Sequence, residues 1–545
     1  MFSRILLSFL LSTALYAQTV TADNSKATSN PAAPANPMVD QLDLANSLLK
    51  SRQFPDAAAA FKAIIEKDPK SVPAHLGLMR SYLRARDFDN AVEAGKKAVQ
   101  AVPSSALVHA TFGDVNFRIG DMAGAEAEYK AALQTDAGSA RGLYGMGKLY
   151  NMLSLYKHAK DSFTRAHQSD PSDREITSAW LDSLPRVQRY EEYKKLNDKH
   201  LGDEMASTDS EDHDTDLPNT EKLLKAEAEK KPWVVVGGVR PIQLKMVPYG
   251  RELAAISISK GNEGGAMSRA KGFALQVKFN DKASATLLLD TGAPGITIGN
   301  KLAEKVGAVK IADTFFRGVG EGITKSYYAW IDKIKIGDLE FKDGIVEVSS
   351  RNDIGEEAGL IGTDVFSDFL VTLDFREQKA LLAPLPRNPA ATGEDGEALD
   401  RYVAPEMQSF AKVYMFGDHL VAPTVLGTAT KNATGLFVLD TGASSSTISN
   451  ELAKKITNVS YEEGYVKGVS GKVSKIFSGD KVYFHFAGVH VESTDIISFD
   501  HRSLGGGTEI AGLIGITTLV QMKMTIDYRD GLVKLEPYEI RTIGR

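Results

Sequence analysis

Small and aromatic residues recur at a fixed interval between about residues 38 and 173. Alanine returns every 34 residues, at Ala57, Ala91, Ala125 and Ala159. A large apolar residue keeps the same step, at Phe54, Phe88, Met122 and Tyr156. A period of this length is typical of stacked helix pairs, in which a small residue lets two helices approach closely. The pattern therefore predicts an array of helical repeats.

Two further positions share this period. Proline occurs at Pro69, Pro103 and Pro171, and Ala137 takes the position between the last two. Proline ends a helix because it lacks the backbone N–H that the next hydrogen bond needs. An aromatic residue that would fill the space between repeats occurs at Phe61, Tyr129 and Phe163, with Gly95 as the exception. Together these four kinds of position resemble the tetratricopeptide repeat.

This resemblance implies an all-α tetratricopeptide-repeat solenoid over residues 38–200, with four repeats and a capping helix at 174–200. Such arrays normally present an extended concave surface to a binding partner. We therefore expect the repeat region to bind a protein partner. A region that only spaces or dimerises the chain is the alternative.

From about Trp233 onward, the pattern changes to short alternating runs separated by turn residues. Residues 273–279 alternate apolar and other side chains, the Asn-Asp pair at 280–281 indicates a turn, and residues 286–289 form a second strand-like run. Alternation of this kind is typical of β-strands with one buried face. The C-terminal part of the chain is therefore predicted to be mostly β.

The β region contains one pattern twice. Residues 289–306 are LDTGAPGITIGNKLAEKV and residues 439–456 are LDTGASSSTISNELAKKI, with eleven of eighteen positions identical. Two more motifs follow each copy, Gly-Leu-Ile-Gly and then Thr-x-Asp-aromatic-Arg. Their positions are 359–362 with 512–515, and 372–376 with 525–529. Because both order and spacing repeat, the pattern indicates a duplicated lobe.

Asp-Thr-Gly-Ala, followed 72 or 75 residues after the Asp by the glycine of an apolar-apolar-Gly motif, resembles the aspartic protease family, especially its retropepsin-like branch. Two fused copies resemble the bilobal arrangement of pepsin. The resemblance implies a mostly-β bilobal protease made of two retropepsin-like barrels. Lobe 1 would span 233–387, an interlobe link 388–408 and lobe 2 409–545.

The family resemblance also implies the site residues. Asp290 and Asp440 would form a catalytic dyad with one carboxyl protonated, because two close carboxylates cannot both ionise easily. The ionised group would take a proton from water, and the protonated group would donate to the carbonyl oxygen of the peptide bond. In each loop a threonine would bond across the lobes, and a glycine would permit a tight turn. These supporting residues are Thr291, Gly292, Thr441 and Gly442.

Aspartic proteases cover the cleft with a glycine-tipped hairpin, the flap. Two glycine-rich segments begin 28 residues beyond the Asp of each lobe and match that element. The flap candidates are Gly318, Gly320, Gly322, Gly468 and Gly471. The resemblance implies a peptide or protein as substrate, and neither a metal nor a cofactor.

An acidic run separates the repeats from the β region. Residues 203–216 include seven Asp or Glu and no Lys or Arg. Such a segment cannot bury enough apolar surface to stay ordered. We therefore predict an acidic linker at 201–232, and we expect the repeat part and the protease-like part to fold and bind separately.

Composition narrows the possible functions further. The 545 residues include no cysteine, which excludes disulfides, thiolate metal sites and a cysteine nucleophile. The net charge of −6 provides no basic excess to neutralise phosphates, so we expect no nucleic-acid binding. No run after the N-terminus approaches the length of a membrane-spanning helix, so we expect no stable span once the N-terminal segment is removed.

The first residues have the layout of an export signal. Arg4 precedes an apolar stretch at 5–15, and Ala17 offers a small residue for cleavage. We therefore expect a signal peptide at 1–17, followed by a flexible leader at 18–37. The protein would be exported, to a periplasm or to the cell exterior.

Three interpretations of the β region stay open at this point. The first is an exported aspartic endopeptidase with repeats for protein–protein interaction. The second is a non-catalytic peptide-binding protein that keeps the protease fold, and the presence of both Asp290 and Asp440 argues against it. The third is an obligate dimer whose lobes pair between chains, which the short interlobe link disfavours.

The export signal leads to a direct test. Protein isolated from its native host should begin near residue 18, because a signal peptidase would cleave after the apolar stretch. N-terminal sequencing or intact-mass measurement checks this expectation. A mature chain that still begins at Met1 would contradict it.

Overall fold

The computed structural model describes most of the chain between residues 37 and 539. The described residues are 37–198, 217–249, 272–316, 324–349, 359–462, 466–468, 471–473, 476–479, 481–493, 496–501 and 507–539. The predicted signal peptide and the leader up to residue 36 lie outside them. The acidic run at 203–216 and the flap candidates Gly318, Gly320 and Gly322 also lie outside the described residues.

Eight helices form the repeat array and confirm the predicted all-α solenoid. They are α1 (Pro37–Lys50), α2 (Phe54–Lys67), α3 (Val72–Ala85), α4 (Phe88–Ala101), α5 (Ala106–Ile119), α6 (Met122–Thr135), α7 (Ala140–Met152) and α8 (Tyr156–Ser169). The turn inside each pair has a residue with left-handed backbone, which closes the first helix. These residues also follow the 34-residue period: Arg52, Arg86, Gly120 and Ser154.

Aromatic side chains fill the spaces between helices, as the repeat pattern predicts. Phe61 of α2 is fully buried, and its ring occupies the space that a Cβ would need at Gly77 of α3. At Gly95 the sequence lacks the expected aromatic residue. There Phe112, from the first helix of the next pair, occupies the space above the glycine. An aromatic ring therefore fills this space as well, but the ring comes from α5 and not from α4.

The end of the array differs from the prediction of one capping helix at 174–200. The structure has two helices, α9 (Arg174–Asp182) and α10 (Arg186–Leu196). Pro185 lies between them and precedes the first turn of α10. Proline disfavours helical backbone at the residue before it, so it separates the two helices.

A further helix lies inside the segment predicted to be an acidic linker. This helix, α11 (Leu217–Glu229), buries Leu224 in a cluster with α10 and Leu223 against Ala312 and Ile345 of lobe 1. The linker prediction is therefore wrong for α11, because the apolar residues of the helix pack on both neighbours. Among the described helices, none has the length and hydropathy of a membrane span.

Lobe 1 is built on a nine-stranded sheet. Its elements, with the strands that continue into the centre of the molecule, are β1 (Val234–Val235), β2 (Ile242–Lys245), β3 (Val247–Tyr249), β4 (Gly272–Phe279), β5 (Ala283–Asp290), β6 (Ile296–Gly299), α12 (Asn300–Val306), β7 (Val309–Phe316), β8 (Thr324–Ile336), β9 (Leu339–Ser349), β10 (Gly359–Gly362), β11 (Phe369–Asp374) and β12 (Lys379–Pro384). The sheet order is β1-β9-β6-β10-β5-β4-β8-β7, with β3 on β4. Strand β10 runs parallel to β5 and antiparallel to β6. The Gly-Leu-Ile-Gly segment thus lies between the two strands that flank the first Asp-Thr-Gly loop.

Lobe 2 repeats this arrangement. Its elements are β13 (Ala411–Lys412), β14 (Tyr414–Phe416), β15 (His419–Gly427), β16 (Asn432–Leu439), β17 (Thr447–Ser449), α13 (Asn450–Ile456), β18 (Val459–Glu462), β19 (Val466–Gly468), β20 (Gly471–Val473), β21 (Ile476–Gly479), β22 (Val482–Phe486), β23 (Val489–Ser493), β24 (Ile496–Phe499), β25 (Gly512–Ile514), α14 (Ile516–Leu519), β26 (Met522–Asp527) and β27 (Leu532–Pro537). Strand β25 runs parallel to β16 and antiparallel to β17, as β10 does between β5 and β6. The duplication predicted from the sequence is therefore a duplication of strand topology.

A six-stranded sheet, in the order β13-β27-β26-β11-β12-β2, joins the two lobes. The two central strands, β11 and β26, are antiparallel and come from the third duplicated motif. Thr372 lies opposite Thr525, and their hydroxyl oxygens are 3.0 Å apart. Strand β2 comes from the long region before Asp290 and adds an edge strand on β12. The third motif therefore builds the contact between the lobes.

The repeat array packs directly on lobe 2. Helices α5, α6 and α7 share a hydrophobic cluster with strands β15, β16 and β25. The cluster includes Met146 and Leu149 of the array. Its members in lobe 2 include Leu436, Val438 and Leu513. This contact does not fit the expectation that the two parts fold and bind separately.

The aromatic contact at Phe61 gives a stability test. Phe61→Ala should lower the free energy of unfolding of the array by about 3–5 kcal/mol, because it leaves a cavity beside Gly77. Urea unfolding followed by far-UV circular dichroism measures the change. Leu44→Ala, at a side chain that is 59% exposed, is the matched control and should change stability by less than about 0.5 kcal/mol. Equal effects of the two substitutions would contradict the predicted packing.

Candidate active site

Both Asp-Thr-Gly loops begin where a buried strand ends. Asp290 is the last residue of β5, and Asp440 follows β16 directly. In lobe 1, Gly362 of β10 pairs with Asp290 in register. In lobe 2, the amide of Asp440 donates to the carbonyl of Ile514 at 3.0 Å. Each loop is therefore held by the glycine motif of its own lobe.

Four hydrogen bonds connect the two loops across the lobe boundary. The amide of Thr291 donates to Thr441 Oγ1 at 3.0 Å, and the amide of Thr441 donates to Thr291 Oγ1 at 2.9 Å. Thr291 Oγ1 donates to the carbonyl of Leu439 at 2.6 Å, and Thr441 Oγ1 donates to the carbonyl of Leu289 at 2.9 Å. Both threonines are buried, so these bonds are shielded from water. The predicted threonine contacts are present as a symmetric pair.

The two aspartates lie beside each other, each against the glycine of the opposite loop. A Cβ added to Gly442 would be 2.3 Å from Asp290 Cγ, and one added to Gly292 would be 2.5 Å from Asp440 Cγ. Neither glycine has left-handed backbone. A left-handed turn that only glycine permits does not account for these two residues. In the structure, they are needed because a carboxyl of the other lobe occupies the position of their missing side chain.

The environment favours one proton on the pair. Burial raises the pKa of Asp290 well above its ordinary value, and the nearby Asp440 carboxylate raises it further. Burial also raises the pKa of Asp440, but the amides of Ala443 and Gly442 and the contact with Asp290 oppose this shift. Asp290 is only 8% exposed, whereas Asp440 is less completely buried. These contacts favour the proton on Asp290 and the negative charge on Asp440.

Within the described residues, no group of three or more His, Asp or Glu side chains is arranged to hold a metal ion. The polar groups at the meeting point of the lobes are two carboxyls, backbone amides and the threonine hydroxyls. A carboxyl pair of this kind can accept a proton on one side and donate one on the other. That is the chemistry of acid–base hydrolysis with water as the nucleophile.

A family model described as tetratricopeptide repeat matches residues 42–106, and one described as aspartyl protease matches residues 275–365. The chain combines tetratricopeptide repeats with an aspartic protease domain. The protease model matches a part of lobe 1. Lobe 2 lies outside the matched residues. It is assigned to the same protease domain because its sequence duplicates that of lobe 1 and its strands have the same topology.

Solved structures provide weaker similarities. The aspartic proteinase from Irpex lacteus matches with 13% identity over 56% of this chain and 99% of its own, at a TM-score of 0.35. Two structures of MamA match with 22% and 21% identity, over 29% and 30% of this chain and 90% and 86% of theirs, at TM-scores of 0.22 and 0.23. No curated protein matches the chain in sequence. The identification therefore depends on the family models and on the geometry.

The protease domain supports its two Asp-Thr-Gly loops with different side chains, which no motif in the sequence indicates. In lobe 1, the carboxylate of Asp364 accepts from the amide of Gly295 at 2.9 and 3.0 Å. Burial raises the pKa of Asp364 to about 6, although this amide lowers it. In lobe 2, Ser446 Oγ accepts from the amide of Gly515 at 3.0 Å and lies 2.8 Å from Thr518 Oγ1. Comparison of the two copies does not reveal these residues, because they are at non-equivalent positions.

The flap candidates of lobe 2 form a hairpin in the structure. Strands β19 and β20 are antiparallel, and Gly468 pairs with Gly471. In lobe 1, β7 and β8 are antiparallel, with Phe316 opposite Thr324. The predicted lobe 1 flap glycines belong to the connection between these two strands, outside the described residues.

The raised pKa of the dyad predicts how stability depends on pH. A carboxyl whose pKa is raised by folding stabilises the fold fully below its unfolded pKa of about 3.9, and this contribution is lost as pH rises through the folded pKa. Asp290→Asn should therefore keep or raise the melting temperature at pH 7. The advantage should disappear below about pH 4. Thermal unfolding of both proteins across this range measures the difference.

Asp281→Asn is the control for this measurement. Asp281 lies in the β4–β5 turn, where hydrogen bonds from Lys333 and Lys278 hold the pKa of its carboxyl below the ordinary value. Asp281→Asn removes a carboxylate that these bonds stabilise, so it should not raise the melting temperature at pH 7. A lower melting temperature for Asp290→Asn at pH 7 would contradict the raised pKa of the dyad.

Proposed function

We propose that the protein is an exported aspartic endopeptidase whose dyad, Asp290 and Asp440, activates water to hydrolyse peptide bonds. The observation that carries the proposal is the reciprocal seating of each carboxyl against the glycine of the opposite loop. The bonds of Thr291 and Thr441 support it, because they hold the two loops in this relation.

The directions of the pKa shifts support a separate role for each carboxyl. Asp440, which the surroundings favour as the ionised group, takes a proton from the attacking water. Asp290, which keeps its proton, donates to the carbonyl oxygen as the tetrahedral intermediate forms. The proton accepted by Asp440 then passes to the leaving amine as the C–N bond breaks. A hydroxyl of the tetrahedral intermediate returns a proton to Asp290 as the carbonyl re-forms, so the dyad regains its singly protonated state. Because one proton is required, hydrolysis should be fastest at acidic to mildly acidic pH.

The repeats are proposed to bind a protein partner or to recruit the substrate. Their match to the tetratricopeptide model supports this role, since solenoids of this kind use extended concave surfaces for binding. Export to a periplasm or to the cell exterior is proposed from the signal-like residues 1–17.

Two alternatives from the sequence make different predictions for this site. A non-catalytic peptide-binding protein would bind peptides without cleaving them. An obligate dimer would pair lobe 1 of one chain with lobe 2 of another. The threonine bonds and the β11–β26 pairing within one chain support the intrachain dyad over the dimer.

Substitution of either aspartate tests the mechanism. Asp290→Asn and Asp440→Asn should each reduce peptide cleavage by at least about 10²–10⁴-fold, because each removes one half of the acid–base pair. A peptide library assayed at acidic pH, with and without pepstatin, measures the activity. Asp281→Asn, an exposed aspartate of the same lobe, should retain wild-type activity. Full activity in either dyad variant would contradict the mechanism.

Mixing the two inactive variants separates the intrachain dyad from the dimer. With an intrachain dyad, every chain contains one broken pair, so the mixture stays inactive. In an obligate dimer with lobes paired between chains, a mixed dimer would keep one intact pair. Partial recovery of cleavage in the mixture would therefore contradict the intrachain proposal.

A further inference from the structure

Glu509 of lobe 2 is held by two arginines of the repeat array. Arg86 makes a bidentate contact, with Nη1 donating to Oε1 at 2.8 Å and Nη2 donating to Oε2 at 2.6 Å. Arg118 Nη2 lies 3.0 Å from Glu509 Oε1. The Glu509 side chain is 20% exposed, so solvent screens this contact less than an open surface pair. We call these three residues the Glu509 clamp.

The backbone of the array contributes to the same contact. The amide of Glu509 donates to the carbonyl of Arg118 at 2.8 Å. This carbonyl lies in the last turn of α5, where a helix leaves carbonyls without an internal partner. Gly120 follows with a φ of 86°, and a Cβ there would lie 3.3 Å from Leu436 of β16. The end of α5 therefore fits closely against the strand that leads to Asp440.

Glu509 is close in sequence to the residues that hold the loop containing Asp440. Two residues after Glu509, the amide of Ala511 donates to the carbonyl of Leu436 in β16 at 2.8 Å. At the end of β25, the carbonyl of Ile514 accepts from the amide of Asp440. The amide of Ile516 then donates to the carbonyl of Ala443 at 2.8 Å. A displacement of Glu509 would move the strand that holds Asp440.

Apolar packing covers the same part of lobe 2. Three side chains of β16 and β25 are no more than 4% exposed: Leu436, Val438 and Leu513. They belong to the hydrophobic cluster that lobe 2 shares with helices α5, α6 and α7. Ala443, inside the second catalytic loop, packs at the edge of this cluster. The array therefore supports the outer face of the two strands that carry the second half of the dyad.

We propose that Glu509 is a positioning residue for Asp440, and that the repeat array thereby forms part of the catalytic unit. The inference rests on the proposed protease function and assigns to the repeats a role beyond partner binding. A misplacement of about 1 Å at a catalytic group lowers the rate by up to about 10²-fold, even when its origin lies far from the chemistry. The clamp acts on Asp440 through β25, so we expect its loss to affect kcat more than KM.

Glu509→Ala in the full-length protein is the direct test. It should lower kcat by at least about tenfold and leave KM within about twofold of wild type, since the loss affects chemistry more than binding. Glu509→Gln keeps the shape and part of the hydrogen bonding, so it should show a smaller loss of kcat. It also provides a second variant if Glu509→Ala fails to fold.

Asp400→Ala is the matched control, because it removes another contact between the array and the protease domain. Asp400 accepts from the amides of Lys157 and His158 at 3.1 and 3.2 Å, and lies in the interlobe link. The hydrogen bonds described for the Asp400 side chain go to Lys157 and His158 at the start of α8 rather than to β25. Asp400→Ala should therefore keep the wild-type kcat. An equal loss of kcat in both alanine variants, or a wild-type kcat in Glu509→Ala, would overturn the proposal.

Hydrogen exchange supplies a readout that does not need activity. In Glu509→Ala, the amides of Asp440, Ala511 and Ile516 should exchange at least about tenfold faster than in wild type and in Asp400→Ala. Unchanged exchange at these amides would overturn the positioning role. A wild-type protein that cleaves no peptide would contradict the proposed function alone, and the exchange result would still decide the role of Glu509.

Discussion

Two carboxyl groups lie side by side in a buried position, and the rest of the protease domain can be understood from this constraint. Burial and mutual repulsion both disfavour two negative charges there, so the pKa of Asp290 is raised and a single proton on the pair is favoured. The same forces would push the loops apart in a less constrained structure. The buried bonds of Thr291 and Thr441 oppose that separation, and the glycines opposite each carboxyl provide the necessary space.

Approximate twofold symmetry produces this arrangement. Each lobe presents its aspartate at the end of one strand, with a glycine-containing strand threaded beside it. The two lobes then meet through β11 and β26, with Thr372 opposite Thr525. A dyad made from two copies of one motif needs such a joint, because neither lobe alone brings two carboxyls together.

The repeat array breaks this symmetry. It covers the strands of lobe 2 that lead to Asp440, and it contacts them through both apolar packing and the Glu509 clamp. Helix α11 makes a separate connection, since it packs on α10 and on residues of lobe 1 that include Ala312 and Ile345. The array therefore contacts lobe 2 directly and is linked to lobe 1 through α11, so its surface is continuous with the protease domain.

Sequence alone determined the features that repeat. The 34-residue period of Ala57, Ala91 and their equivalents predicted the solenoid, and the duplicated loops at Asp290 and Asp440 predicted the two lobes. These predictions were possible because helix and strand periodicity are local, and because a duplication can be recognised by comparing the chain with itself.

Only the tertiary structure decided the contacts between dissimilar segments. Arg86 and Glu509 are 423 residues apart, and no period or motif connects them. Asp364 and Ser446 support their loops from non-equivalent positions, and α11 is helical where the preceding acidic run indicated a linker. Such contacts depend on which surfaces meet after each unit has folded. The local pattern of polar and apolar residues determines the units, whereas shape and charge across distant surfaces determine how they meet.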